Sequence, residues 1–116
     1  MHQFGLPKTC LLRKSEDFDL VYRHGKRLYG PGFSLIYLQM DRDYSRIGIS
    51  VSRKLKGAVV RNRIKRIFKE SFRLNRDLFP VHADIVIAVR PDFALDSPKR
   101  ITQAVSNLMT AGSIDK

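Results

Sequence analysis

Between Arg53 and Arg76 the chain carries ten cationic side chains, Arg53, Lys54, Lys56, Arg61, Arg63, Lys65, Arg66, Lys69, Arg73 and Arg76, and one acid, Glu70. This segment holds +9 of the formal net charge of +11. The chemistry open to such a cluster is anion binding. Arginine forks two N–H groups onto one phosphate, and lysine adds a compact point charge. Asn62, between Arg61 and Arg63, can both donate and accept, which suits a ribose hydroxyl or a base edge. Bond-breaking chemistry has no comparable candidate. The sequence offers no Ser-His-Asp order, no clustered carboxylates for two metals and no histidine beside an acid. His2, His24 and His82 lie far apart without a Cys or His neighbour at ligand spacing, so neither a catalytic nor a metal-ligating residue is assigned. Asp41 and Asp43 read as turn formers, and Asp84, at the head of an apolar run, reads as an ion-pair partner.

The cations need a scaffold, and periodicity supplies one: a helix from about Val59 to Asn75. At about 100° per residue, Val60, Ile64, Ile67, Phe68, Phe72 and Leu74 gather on a side that should dock. Asn62, Arg66, Lys69 and Arg73 lie near the opposite pole, flanked by Arg63 and Lys65. An ordinary solvated face mixes signs to gain i, i+4 pairs of about 0.2–0.5 kcal/mol each. Here Arg61 is set against Lys65, and Lys65 against Lys69. Arg61 and Arg63 also oppose the helix dipole in the first turns, at about 0.3–1 kcal/mol each. Local stability is given up, as an electrostatic footprint for phosphates requires.

Other elements frame this helix. Ser15 is the expected N-cap of a first helix, with Glu16 and Asp17 in its first turn and Gly25 as a left-handed C-cap. Phe18, Val21 and Tyr22 share one face of it. Phe33–Met40 and Arg46–Ser52 read as strands joined by the turn Asp41–Ser45, an expected antiparallel hairpin, with Tyr29-Gly30 as a short edge piece. In the second strand Ile47, Ile49 and Val51 face one way, and Arg46, Gly48, Ser50 and Ser52 the other. Ala83–Val89 reads as a buried strand, ended by Arg90-Pro91. A last helix starts at Ser97-Pro98 with Ile101, Ala104, Val105 and Leu108 as its stripe. The order helix, strands, helix, strand, helix predicts an α+β two-layer sandwich. Residues 15–109 form the single expected domain, between tails at 1–14 and 110–116, the first of which can pack on the domain.

Composition agrees. A 43% hydrophobic content excludes a disordered polycation. No apolar run approaches the roughly 20 residues that span a bilayer, so no membrane partner is expected. Cys10-Leu11-Leu12 is too short for a signal peptide. A single cysteine, Cys10, suits a reducing compartment, and a cytoplasmic location is the expectation.

Charge does not separate RNA from DNA, but the wording of the chain does. Lys54-Leu55-Lys56-Gly57-Ala58-Val59-Val60-Arg61-Asn62-Arg63-Ile64-Lys65-Arg66 resembles the Arg-Asn-Arg motif of the protein subunit of bacterial ribonuclease P. Ser15–Gly25, Gly48–Ser52 and Ala88–Pro91 are similar to flanking segments of that family, so the resemblance spans about residues 11–109. It implies a left-handed βαβ crossover through the basic helix. It also implies a catalytic RNA partner that carries the active site and the Mg2+, one protein per RNA, and removal of the 5′ leader of precursor tRNA. By motif position Arg53, Lys54, Lys56, Arg61, Asn62, Arg63, Lys65, Arg66, Lys69 and Arg73 would meet the RNA subunit. Phe18, Tyr22 and Ser50 match positions of the family's leader cleft. For Phe18 and Tyr22, at i, i+4, a core role fits the spacing equally well. Lys69 stands where arginine is common, Ile36 where an aromatic can line the cleft, Leu11 where a basic residue is frequent, and Lys56 precedes Gly57 in an altered turn. A structural, ribosomal-type RNA-binding protein is the alternative.

Overall fold

The computed structural model describes residues 6–55 and 57–114. Lys56, one of the expected RNA contacts, lies outside the described residues.

Helix α1 spans Ser15–His24 and helix α2 spans Ala58–Leu74. Helix α3 spans Pro98–Ile114, so it continues into the stretch read as a C-terminal tail. The strands are β1 Lys26–Gly30, β2 Phe33–Gln39, β3 Arg46–Val51 and β4 Ala83–Val89. They form one sheet in the order β1-β2-β4-β3. The α+β sandwich is therefore as expected, but the hairpin is not. β2 and β3 are not neighbours; β4 lies between them, antiparallel to β2 and parallel to β3. Alternation reports which face a side chain takes, not which strand lies beside it. The apolar run 85–89 of β4 belongs to a central strand covered on both faces. The hairpin that does form joins β2 to β1, a full five-residue strand rather than a two-residue edge piece. It turns at Pro31-Gly32, where Gly32 has the positive φ of 76° that such a turn asks of glycine.

Most of the core lies between one sheet face and the helices α2 and α3. Phe33, Leu35, Ile47, Ile85 and Ile87 meet Ile64, Phe68 and Phe72 of α2 and Ile101 and Val105 of α3. The rings of Phe33 and Phe68 pack edge-on at 5.2 Å. The other sheet face is closed by α1 and the segment before it, where Leu12, Val21, Ile36 and Val86 form a smaller cluster with Phe18 packed against it. That preceding segment runs along β3. Leu11 bridges Ile47 in parallel, and the Leu12 N–H donates to the Ile47 carbonyl at 2.9 Å. Leu6–Lys14, part of the stretch read as a tail, thus covers an edge strand that would otherwise be open.

Helix ends differ in detail from the reading. Ser15 is the first helical residue, Lys14 holds the cap position, and no side chain caps α1. Gly25 is extended, at φ −80° and ψ 161°, not left-handed. Glycine is needed there for space: a Cβ would stand 2.5 Å from the Val21 carbonyl and 2.8 Å from that of Tyr37. At α3 the reading holds, since Ser97 Oγ accepts the Arg100 N–H at 3.3 Å just before Pro98 opens the helix.

Candidate nucleic-acid interface

Helix α2 connects the parallel strands β3 and β4 and lies on the sheet face by Ile64, Phe68, Ser71 and Phe72. Two residues assigned to its docked side are exposed instead: Val60 at 45% and Leu74 at 58%. Ile64 is the first buried residue of the helix, so the opening turn makes no core contact. Leu74 faces an open groove between the ends of α2 and α3 with Leu78, Pro98 and Thr102. Ser71 takes the inward place that periodicity alone gave to apolar residues. Its hydroxyl meets that of Thr102 at 2.6 Å, and Asn75 Nδ2 donates to the same Thr102 oxygen at 3.1 Å. These bonds fasten α2 to α3.

The polar side chains of α2 divide into two sets. Asn62, Arg63 and Arg66 are exposed and make no side-chain hydrogen bond or ion pair among the described residues. Arg61, Lys65 and Lys69 are half-buried. Arg61 Nη1 donates to the Leu55 carbonyl at 3.0 Å, tying the approach loop to the first turn. Lys69, expected near the outer pole, lines a cleft between α2 and the segment before α1. Burial lowers its pKa first, and repulsion from Lys65 and Arg13 lowers it further. Arg73 is engaged by Glu70, with bonds of 3.1 and 2.5 Å. The Arg73 guanidinium holds the Glu70 carboxyl below its ordinary value, so Arg73 is the least available cation of its row.

Two clefts adjoin along this side. One, of about 390 Å³, is lined by Leu12, Arg13, Phe18, Gly48, Lys65 and Lys69 among others. The next, of about 530 Å³, is lined by Phe18, Ile49, Ser50, Val51, Arg53, Arg61 and Lys65. The structure therefore brings Phe18 and Ser50 together with cations of α2 and with Arg53. Lys54 is exposed on the same approach loop, its N–H donating to Ser52 Oγ at 3.2 Å. Tyr22 lies one helical turn beyond Phe18, lines neither cleft and is 37% exposed, with the Arg27 guanidinium 5.8 Å from its ring centroid. Two participants were missed from sequence. Arg13 lay in a stretch read as a tail. Gly48 was placed on the correct face but not beneath Phe18, where a Cβ would meet the ring at 2.5 Å.

The scaffold around Phe18 is held by charge. Asp84 is 3% exposed and accepts Arg46 Nε at 2.8 Å, Arg46 Nη2 at 2.6 Å and Arg42 Nη2. Arg46 also reaches Asp17 of α1 at 3.7 Å. Asp84 is thus the ion-pair partner its position suggested. Burial alone would raise its pKa, but hydrogen bonds from Arg46 and Arg42 outweigh that and hold it below the ordinary value. No group of three or more His, Cys, Asp or Glu among the described residues could hold a metal ion. Among the described residues no helix is long and apolar enough to cross a membrane.

An α+β domain with a docked helix, a cationic outer face and an aromatic-bottomed basic cleft is a polyanion-binding protein of the nucleic-acid-binding kind. The ribonuclease P family matches residues 6–112. The chain is 59% identical over 108 residues to the ribonuclease P protein component of Desulfotalea psychrophila, covering 93% of this chain and 90% of the relative. It is 47% identical over 111 residues to that of Maridesulfovibrio salexigens, covering 91% and 86%. The solved ribonuclease P protein of Thermotoga maritima superposes with a TM-score of 0.75 at 33% identity, over 87% of this chain and 96% of that one. The chain belongs to the ribonuclease P protein-component family. It is the protein part of an endoribonuclease ribonucleoprotein that acts in tRNA processing.

Proposed function

We propose that this chain grips the ribonuclease P RNA through the outward face of α2 and steers the single-stranded 5′ leader of precursor tRNA along the clefts beside Phe18. The observation that carries the reading is the division of polar side chains on α2: Asn62 and the cations Arg63 and Arg66 stand free of partners among the described residues, while Arg61 and Lys65 line the cleft with Phe18 and Ser50. A broad, folded RNA suits the exposed face. An unpaired strand suits a cleft with a ring at its base, where stacking contributes about 1–3 kcal/mol per base. Arg53 and Lys54 extend the cationic surface along the approach loop, Lys56 is assigned to it by the motif alone, and Arg73 extends it toward the end of the helix, with Lys69 turned into the neighbouring cleft. Tyr22, outside the clefts and stacked with Arg27, would continue the leader's path over α1.

The chain assists catalysis and does not perform it. Among the described residues no constellation of acids or histidines offers a magnesium site, and Asp84 is committed to Arg42 and Arg46. By the family resemblance, magnesium would be held mainly by the RNA. One protein per RNA and a cytoplasmic setting complete the proposal.

The test is RNA binding across salt. If six to ten phosphates are contacted, affinity for ribonuclease P RNA should fall about 10³–10⁵-fold between 50 and 200 mM salt. A flat response would remove the phosphate reading.

A further inference from the structure

We infer that the pocket between the C-terminal end of α2 and the turn Asp41–Ser45 binds an unpaired guanine base. Phe72, on its wall, is about 17 Å along the helix from Arg61. The site therefore stands apart from the outward cationic face of α2 and from the clefts beside Phe18.

Long-range bonds build the pocket. Ser45 Oγ donates to the Pro80 carbonyl at 2.8 Å and accepts the Ala83 N–H at 3.0 Å. His82 Nδ1 donates to the Arg42 carbonyl at 2.7 Å, and Arg42 is itself bonded to the buried Asp84. The turn before β3 and the turn before β4 are thus locked together. Phe72, packed edge-on against Phe79 at 5.3 Å, closes the inner wall. Within this frame His82 holds a φ of 54°, a left-handed conformation uncommon outside glycine. The space of about 300 Å³ is lined by Asp43, Tyr44, Phe72, Arg76, Asp77 and His82, among others. That size is at the lower end of small-molecule sites. It admits one planar base rather than a paired strand.

Its chemistry differs from that of the rest of this basic chain. Asp43 and Asp77 line one space, and neither has an ion pair among the described residues. Arg76 lines it too, also without an ion pair, its guanidinium 5.6 Å from the Phe72 centroid. Because His82 Nδ1 carries the proton given to the Arg42 carbonyl, Nε2 of the neutral ring is an acceptor. Tyr44 is the exposed ring, at 38%, with the Arg42 guanidinium 5.0 Å from its centroid. Two carboxylates repel a phosphate, so a nucleotide would enter by its base. Stacking on Tyr44 suits any base; the charged groups select. A carboxylate accepts two parallel N–H groups, and guanine presents such a pair on one edge, N1–H and N2–H. On its other edge O6 and N7 are the acceptors that an arginine fork reads. Adenine offers a bare N1 to the carboxylate and an amine to the arginine, a mismatch at both. The pyrimidines lack N7. A polyamine, which carboxylates also attract, is opposed by Arg76 in the pocket and by the net charge of +11.

The experiment titrates the full chain with guanosine and with adenosine, which lack the phosphate that α2 would attract, and follows backbone amide shifts by NMR. Guanosine should bind roughly tenfold more tightly than adenosine, with shifts at Tyr44, Arg76 and His82. Asp43→Asn and Asp77→Asn each remove one carboxylate and keep both rings. At least one of them should reduce guanosine to the affinity of adenosine at unchanged Tm, and Tyr44→Ala should weaken both nucleosides alike. No binding, equal binding of the two nucleosides, shifts confined to Arg63 and Arg66, or a guanosine preference that survives both aspartate variants would overturn the inference. Guanosine monophosphate and the pentanucleotides UUGUU and UUAUU then separate the sources of the base, read from the same shifts. A preference for UUGUU over both UUAUU and the mononucleotide assigns the pocket to a guanine within single-stranded RNA. Equal affinity for UUGUU and the mononucleotide assigns it to the free nucleotide.

Discussion

Replacing Gly48 with alanine probes how the sheet sets the position of Phe18. The new Cβ would lie 2.5 Å from Phe18 Cζ, 2.9 Å from Leu12 Cβ and 3.1 Å from the Leu12 carbonyl oxygen. The Leu12 backbone is held by its bond to Ile47, so the ring of Phe18 must move most. Overpacking of this kind costs about 1–3 kcal/mol, offset by about 0.4–1 kcal/mol from the reduced freedom of the unfolded chain. The expected net loss is near ~1 kcal/mol, a fall in Tm of about 4–6 °C. Thermal melts of Gly48→Ala, Phe18→Ala and the double variant form the assay. Removing the ring should recover about 0.5–1 kcal/mol of the cost of the glycine substitution. Effects that add to within about 0.3–0.5 kcal/mol would show that Gly48 and Phe18 are not coupled and would refute the reasoning.

The remaining predictions concern charge and stacking. Asp84→Asn leaves two part-buried guanidinium groups without their carboxylate; with both arginine side chains about a fifth exposed (20% and 23%), the loss should be about 2–4 kcal/mol, read by urea unfolding. Because the folded Asp84 carboxyl lies below its ordinary value of 3.8, its contribution is complete above that pH and is lost as pH falls through the depressed folded value. Acid titration of stability should therefore show a shallower loss in the variant than in the wild type. Arg63→Ala and Arg66→Ala should each lower the slope of log affinity against log salt for ribonuclease P RNA by roughly one per phosphate contact removed; an unchanged slope would take these residues out of the interface. Tyr22→Ala should weaken long-leader substrates by about 1–3 kcal/mol if a base stacks there, and equal binding of long and trimmed leaders by the wild type would remove that role.

What the sequence made legible follows from the range of each signal. The phase of α2 was readable over its buried turns because Ile64, Phe68 and Phe72 recur at helical spacing and all pack on the sheet. It misled at the ends, where Val60 and Leu74 keep the period but have no sheet beneath them. The faces of β3 were readable, since Ile47 and Ile49 enter the core while Ser50 stays exposed. Its neighbour was not, because pairing with β4 depends on the path of α2 and not on any pattern within the strand. The outer helix cations were visible as a stripe. The inward turn of Lys69 was not, because it is defined by Arg13, more than fifty residues away in the chain. One local hint existed: Cys10-Leu11-Leu12 is apolar immediately before Arg13, and Cys10 and Leu12 are buried at 5% and 4%. An apolar triplet in a basic chain is a reason to expect docking rather than a tail.

The central claim is that this chain enables an RNA enzyme by binding it with one face of α2 and the leader with the clefts beside it. Cleavage of precursor tRNA by ribonuclease P RNA, at magnesium too low for the RNA to act well alone, measures that claim directly. Adding the protein should restore cleavage at the mature 5′ end, the Arg63→Ala/Arg66→Ala variant should restore it only at higher protein concentration, and the protein without RNA should cut nothing. Absence of stimulation by the wild-type chain, or cleavage by the chain alone, would contradict the account.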